Sequence, residues 1–235
     1  MFLAVQTGNR LLDGLEAVEL EALAPRLGRV KLKLHDVICV PGERFTDVYF
    51  PVNGVLSTTI VTDEGDEVEI ATVGLEGFDP VVVLLGADRS AYRTVCQVAG
   101  ESYRLPVDVF MESLQRFASL RTRSHRFAQA FLQFMSQSIA CNRLHPLIER
   151  AARWLLITHD RVRGDDVRLT QEYLAVMLGV RRPAVNVAAR TLQEAGVIRY
   201  RRGSISVLDR EGLEAASCEC YATVKAAYER LLALP

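Results

Sequence analysis

The chain has 235 residues, 49% hydrophobic and 24% charged, with a net charge of −1 at pH 7, the profile of one large or two modest globular units. No apolar run approaches the roughly 18–20 residues of a membrane span; the strongest, PVVVLLG at 80–86, is far too short. The N-terminus lacks the basic start, apolar core and small-residue cleavage site of a signal peptide, so a cytoplasmic protein without membrane partners is expected.

In chain order, residues 10–27 place Leu11, Leu12, Leu15, Val18, Leu20 and Leu23 at helical spacing and end near Pro25, which predicts a short helical start. From Val30 the period becomes two. VKLKLHDVICV, DVYFPV, VLSTTIVT and VEIATVG alternate between turn signals (PGERF, NG, DEGDE), and YRTVCQVAGESYRL resumes the pattern. Short strands at such spacing predict an antiparallel sandwich or barrel. Between the two strand blocks lies a glycine-bounded excursion, GLEGFDPVVVLLGADRSA. From Val107 to about Leu144 one long helix is expected. Its Phe127, Phe131, Phe134, Ser138 and Cys141 follow a 4-3-4-3 spacing, which reads as a seam for a partner helix. Pro146 starts a second helix, PLIERAARWLLITHDRV.

The segment LTQEYLAVMLGVRRPAVNVAARTLQEAG then reads as helix, glycine turn, helix. Thr170 is the expected cap of the first helix, and Pro183 is tolerated in the first turn of the second. VIRY-RRG-SISVL follows as two strands with a basic turn, a wing, and a last helix fills residues 210–235. Between Arg161 and Arg210 stand ten arginines and five acidic residues, a block of about +5 in a chain whose remainder is about −6. Such a block suggests a polyanion, and arginine suits bidentate contact to phosphate or guanine. On the second helix Val185, Ala188, Ala189 and Leu192 fall on one face, and Arg182, Asn186 and Arg190 on another. Arg182 in the first turn suits guanine, Asn186 one turn later suits adenine, and Arg190 suits phosphate. Arg181, the wing residues Arg201 and Arg202, and the helix start at Thr170 and Gln171 complete the candidate DNA-binding set.

Taken together, PGERFTDVYFPVNGVLS, the long helix and LTQEYLAVMLGVRRPAVNVAARTLQEAGVIRYRRGSISV resemble the CRP/FNR superfamily of bacterial transcription regulators. The resemblance implies an α+β chain: a jelly roll like a cyclic-nucleotide-binding domain (1–106), a dimerisation helix and hinge (107–145), and a winged helix-turn-helix (146–235). It also implies a homodimer on palindromic double-stranded DNA, RNA polymerase as a further partner, and no enzymatic activity or catalytic residues. Relatives commonly carry Glu and Arg where this chain has Pro183 and Val187, so their operator sequences do not transfer. The Gly-Glu and Arg-Ser pairs that grip ribose and phosphate in the cyclic-AMP-binding members correspond here to Glu76 and Gly77 with Arg89 and Ser90. Only the second pair matches well, and the apolar Val81–Leu85 between them disfavours a cyclic nucleotide, so the effector stays open. The alternative function is a cyclic-nucleotide-responsive module acting on a protein partner. A cupin-like enzyme would need several strand histidines, and residues 30–105 hold only His35.

The five cysteines include no Cys-x-x-Cys pair and no N-terminal cluster, which argues against a disulfide framework and an FNR-type iron–sulfur centre. Cys141 and His145 share a helix face, and Cys218 and Cys220 lie in the tail. The four form a metal or redox site only if the tail folds back; otherwise they pack as small apolar residues, and no metal is expected.

Overall fold

The computed structural model describes residues 6–162, 164–201 and 203–233. These fall into two compact units: residues 1–58, 72–132 and 227–235 make the first, and residues 59–71 with 133–226 the second. No helix among the described residues is long and apolar enough to cross a membrane.

The first unit opens with α1 (Arg10–Asp13) and α2 (Ala17–Leu23), followed by a 3-10 turn at Ala24–Arg26. Buried Asn9 caps α1 through its carbonyl, and its amide donates to Pro51 O and Gly77 O, both at 2.8 Å. The strands are β1 (Gly28–Leu32), β2 (Val37–Cys39), β3 (Asp47–Pro51), β4 (Val55–Val61), β5 (Glu67–Val73), β6 (Arg93–Val98) and β7 (Gly100–Pro106). They make one sheet in the order β1-β7-β3 and another in the order β2-β6-β4-β5. β7 is central in the first sheet and pairs antiparallel on both sides, Gly28 opposite Arg104 and Asp47 opposite Pro106. Phe50 from β3, Phe78, Phe110 and Phe127 are fully buried, with ring centroids 5.0–6.0 Å apart where they meet. The apolar stretch Val81–Leu85 forms a single 3-10 segment.

The long helix expected over 107–144 is two helices, α3 (Val107–Arg116) and α4 (Ala118–Leu144), because Phe117 is extended. The break gives α4 a free N-terminus, and Glu19 of α2 occupies it. Its carboxylate accepts from Ser119 N (3.2 Å), Leu120 N (3.1 Å) and the Ser119 hydroxyl. Burial pushes the Glu19 pKa up, but these bonds outweigh it and the net shift is downward.

Phe127, Phe131, Phe134 and Cys141, expected to face a partner helix, are buried within the chain itself. Phe127 packs on Phe78 and Tyr228, and Phe134 lies under the guanidinium groups of Arg153 and Arg161. The large apolar residues that α4 leaves exposed are Leu132 (56%), Ile139 (72%) and, at its end, Leu144 (74%); the first two stand one heptad apart on a different stripe.

The second unit holds α5 (Leu147–His159), β8 (Asp166–Arg168), α6 (Gln171–Leu178), α7 (Arg182–Glu194), β9 (Ile198–Arg201), β10 (Ser204–Val207) and α8 (Arg210–Ala215). α9 (Cys220–Ala233) begins in this unit and ends in the first. β8, β10 and β9 form an antiparallel three-stranded sheet with β10 in the middle. Arg210 ties the unit's C-terminal part to α5: Nη1 bonds His159 Nδ1 (2.6 Å), Nη2 bonds Asp160 (2.7 Å) and Nε bonds Glu214 (2.8 Å).

Candidate nucleic-acid interface

α6 and α7 are set at their junction by caps that the sequence spells out. The Thr170 hydroxyl accepts from Tyr173 N at 3.2 Å, the N-cap geometry. Gly179 closes α6 in the left-handed region (φ 62), where an L side chain is strained; a Cβ there would also stand 3.2 Å from Val68 Cγ2. Arg150 of α5 donates to Leu178 O, one of the carbonyls that the end of α6 leaves open. α7 starts at Arg182 with Pro183 in its first turn, where no intrahelical N–H is lost.

α7 packs on α5 and α6. Val185, Ala188, Ala189 and Leu192 are its buried face, as their spacing predicts. Arg181, Arg182, Asn186 and Arg190 are exposed, the last three one turn apart along one side of the helix. In the free protein two of the arginines rest on carboxylates. Arg182 Nη1 is 2.7 Å from Glu172 Oε1, and Arg190 Nε is 2.7 Å from Glu194 Oε1. All four side chains are well exposed, so both pairs are weak and give way readily to a phosphate or a base edge.

In the wing, Arg201 is exposed at the end of β9, while Arg202 lies outside the described residues. The wing is braced by Tyr200, whose N–H donates to Gln193 Oε1 (2.8 Å) and whose hydroxyl donates to Leu169 O (3.2 Å). Gln171 is half-buried at the start of α6. The surface thus gathers Thr170, Arg181, Arg182, Asn186 and Arg190 around one helix junction. One pairing escaped the sequence reading, and one position noted there only as a departure from relatives gains a contact role. Glu172 is ten residues from its partner Arg182 and on another helix, so no periodicity links them. Val187 is 65% exposed between Asn186 and Arg190 and offers an apolar contact of the kind that reads a thymine methyl.

Residues 149–216 match the family described as a Crp-like helix-turn-helix domain. The fold of the chain as a whole matches solved structures. A chain from Eubacterium rectale assigned to the CRP/FNR transcriptional regulators has TM-score 0.66 at 18% identity, covering 88% of this chain and 96% of its own. FixK2 from Bradyrhizobium japonicum has TM-score 0.66 at 12% identity, covering 82% and 98%. A CRP/FNR-family regulator from Thermus thermophilus has TM-score 0.58 at 22% identity, covering 81% and 98%. Residues 149–216 thus carry a Crp-like helix-turn-helix domain, and the chain as a whole shares the fold of these solved CRP/FNR-family structures. A helix-turn-helix domain is a DNA-binding unit, and it occupies residues 149–216 here. No curated protein sequence matches the chain.

In CRP/FNR terms the remaining question is the effector pocket of the first unit. Glu76 is buried, and its carboxylate accepts from Gly74 N at 3.0 Å. Gly77 lies flat against the Phe127 ring, where a Cβ would come within 2.0 Å of ring carbons. Arg89 is exposed and donates to Gly42 O at 2.7 Å. Ser90 is buried, with its hydroxyl donating to Tyr92 O at 2.7 Å and accepting from Tyr92 N at 3.0 Å. Each of these four groups is thus held by the chain's own polar atoms or rings. A cavity of about 320 Å³ lies nearby, lined by Cys39, Arg44, Phe45, Asp47, Asp79 and Pro80 among others. Asp79 is buried in its wall; burial raises its pKa from 3.8 to about 7, against hydrogen bonds from Thr94 and Thr58 that lower it.

Proposed function

We propose that the chain is a homodimeric, cytoplasmic transcription regulator that inserts α7 into the major groove at each half of a palindromic site. The supporting observation is the helix itself: it is amphipathic, seated in a Crp-like helix-turn-helix domain, with Arg182, Asn186 and Arg190 on its exposed side. In this reading Arg182 contacts guanine O6 and N7, Asn186 contacts adenine, and Arg190, Arg181, Arg201 and Arg202 take phosphates. The N–H groups at Thr170 and Gln171 take a further phosphate. Two copies place their α7 helices about 34 Å apart in successive major grooves. Leu132 and Ile139 on α4 supply the dimer seam, and RNA polymerase is the partner downstream. The domain assignment follows function: 1–106 senses, 107–145 dimerises, and 146–235 binds DNA.

The first unit carries the signal, a small ligand or a redox change other than a cyclic nucleotide. Support comes from Glu76, Gly77 and Ser90, which are engaged internally, and from the apolar 3-10 segment at Val81–Leu85. Selection of genomic fragments by the purified full-length chain tests the whole reading. The expected product is one palindrome, bound with an affinity that falls steeply with salt. Recovery of fragments without any shared sequence refutes it.

A further inference from the structure

Cys141, His145, Cys218 and Cys220 come together in the second unit. One donor atom from each lies within 4.8 Å of the others, and the three cysteines are buried. Cys141 Sγ is 3.5 Å from Cys218 Sγ, and Cys220 Sγ is 3.5 Å from His145 Nδ1. The cysteines are free thiols; a disulfide would need its sulfurs at about 2.05 Å. Zinc–sulfur bonds of about 2.3 Å and zinc–nitrogen bonds of about 2.0 Å set tetrahedral edges of roughly 3.5–3.8 Å. The Cys141–Cys218 and Cys220–His145 spacings of 3.5 Å already stand near those edges, and all four donors lie within 4.8 Å. They suit one metal ion and are too tight for ligands spread over the irons of a cluster.

Three further contacts are those a metal site requires and a packed apolar cluster does not. The other ring nitrogen of His145, Nε2, is 3.2 Å from Glu219 Oε1, the carboxylate that orients a ligating imidazole and sets its tautomer. Gln137 Nε2 donates to Cys220 Sγ at 3.1 Å. Burial raises the Cys141 and Cys218 thiols, and the Arg153 guanidinium acts against that rise at Cys141. Arg150 donates to Leu178 O and Arg153 to the Ser138 hydroxyl, but the Nε atoms of both are buried without a hydrogen-bond partner. A buried guanidinium nitrogen left that way is costly. Three thiolates and a neutral imidazole around a divalent ion carry one net negative charge, opposite in sign to these guanidinium groups.

We propose that Cys141, His145, Cys218 and Cys220 hold a single zinc(II) ion in a closed tetrahedral Cys3His site that fastens the start of α9 to the end of α4. All four positions are filled by protein, as in structural rather than catalytic zinc centres. The α8–α9 loop brings Cys218 and the first residue of α9 brings Cys220, while Cys141 comes from the last turn of α4 and His145 from the residue just after it. On binding, the three thiols give up their protons to solvent.

The test uses full-length protein, reduced and stripped of metal, titrated with zinc(II) against a chromophoric chelator and separately with cobalt(II). The expected result is one equivalent per chain, bound well below micromolar, with the intense visible bands of tetrahedral cobalt and thiolate-to-cobalt charge transfer. Zinc also raises the Tm by several degrees. Cys220→Ser abolishes the cobalt spectrum, whereas Cys39→Ser in β2 leaves it intact. His145→Gln keeps the fold by circular dichroism and loses at least tenfold in zinc affinity; Glu219→Gln, an exposed side chain, loses about tenfold. Failure of the folded wild-type chain to bind stoichiometric zinc overturns the proposal. So does an octahedral cobalt spectrum, or zinc binding unchanged in both Cys220→Ser and His145→Gln. A Cys141–Cys218 disulfide in protein prepared anaerobically with zinc present overturns it too.

Discussion

At the scale of single residues, the proposed DNA contacts divide into groups that specify and groups that anchor. Arg182 stands in the first turn of α7, where a side chain reaches base edges, and Arg201 stands on the wing. Arg182→Ala is therefore expected to relax discrimination at one base pair per half-site, by roughly 1–3 kcal/mol. Arg201→Ala weakens all sequences about equally and reduces the salt slope by about one. Binding measured on a panel of single-base operator variants separates the two, and uniform loss in both variants removes Arg182 from base readout. Asp79 offers a second test at this scale. Its folded pKa of about 7 lies above the ordinary 3.8, so between those values the folded state holds a proton that the unfolded state has lost. Stability from this group is complete below about pH 4, declines as the pH rises to about 7, and stays low above it. Asp79→Asn cannot ionise. It should raise the Tm at pH 8, by up to roughly 4 kcal/mol of stability, with the advantage gone near pH 4. A Tm difference that does not change with pH counts against a buried, proton-holding Asp79.

At the scale of elements, the break between α3 and α4 shows how a local pattern is overruled. The apolar spacing from Val107 onward is compatible with one helix, and no proline or glycine interrupts it before Pro146. What ends α3 at Phe117 is a partner distant in sequence: Glu19 of α2 satisfies the N–H groups that the new helix start exposes. Its carboxylate also meets the positive end of the α4 dipole. Because the Glu19 pKa is lowered, its contribution is present above the unfolded value of 4.5 and fades as the pH falls through the folded one. Glu19→Gln is expected to cost about 1 kcal/mol at pH 7 and little at pH 3, read from urea unfolding at the two pH values. An equal cost at both would assign Glu19 a packing role instead. The helix-turn-helix is the opposite case. There the cap at Thr170, the left-handed Gly179 and the proline in the first turn of α7 are all local devices. The helix, glycine turn and helix read from the sequence accordingly reappear as α6 and α7.

At the scale of the whole molecule, the stickiness of α4 was legible and its direction was not. The 4-3-4-3 run from Phe127 to Cys141 marks an apolar stripe, but a stripe does not name its partner. Here Phe78, Tyr228, the guanidinium groups of Arg153 and Arg161, and Cys218 cover it from within the chain. In the proposed homodimer the seam is instead the exposed stripe of Leu132 and Ile139. Replacing both with Glu is expected to give a folded monomer by sedimentation, with palindrome affinity down by at least a hundredfold, since each half-site must then be bound alone. A double variant that sediments as the wild type moves the seam elsewhere.

The amino-acid sequence by itself determined the order of pieces, the reading helix and its two faces. It did so because strand alternation, helix caps and turn glycines act over a few residues and leave their mark there. It also singled out Cys141, His145, Cys218 and Cys220 as a set that could meet only if the tail folded back, with apolar packing and no metal as the expectation. Tertiary structure alone decided that return, along with the break at Phe117, the pairing of Glu172 with Arg182, and the sealing of Gly77 under Phe127. Each of these joins residues from elements far apart in the chain or on different helices. Their meeting depends on how whole elements pack, and no spacing within one segment encodes it.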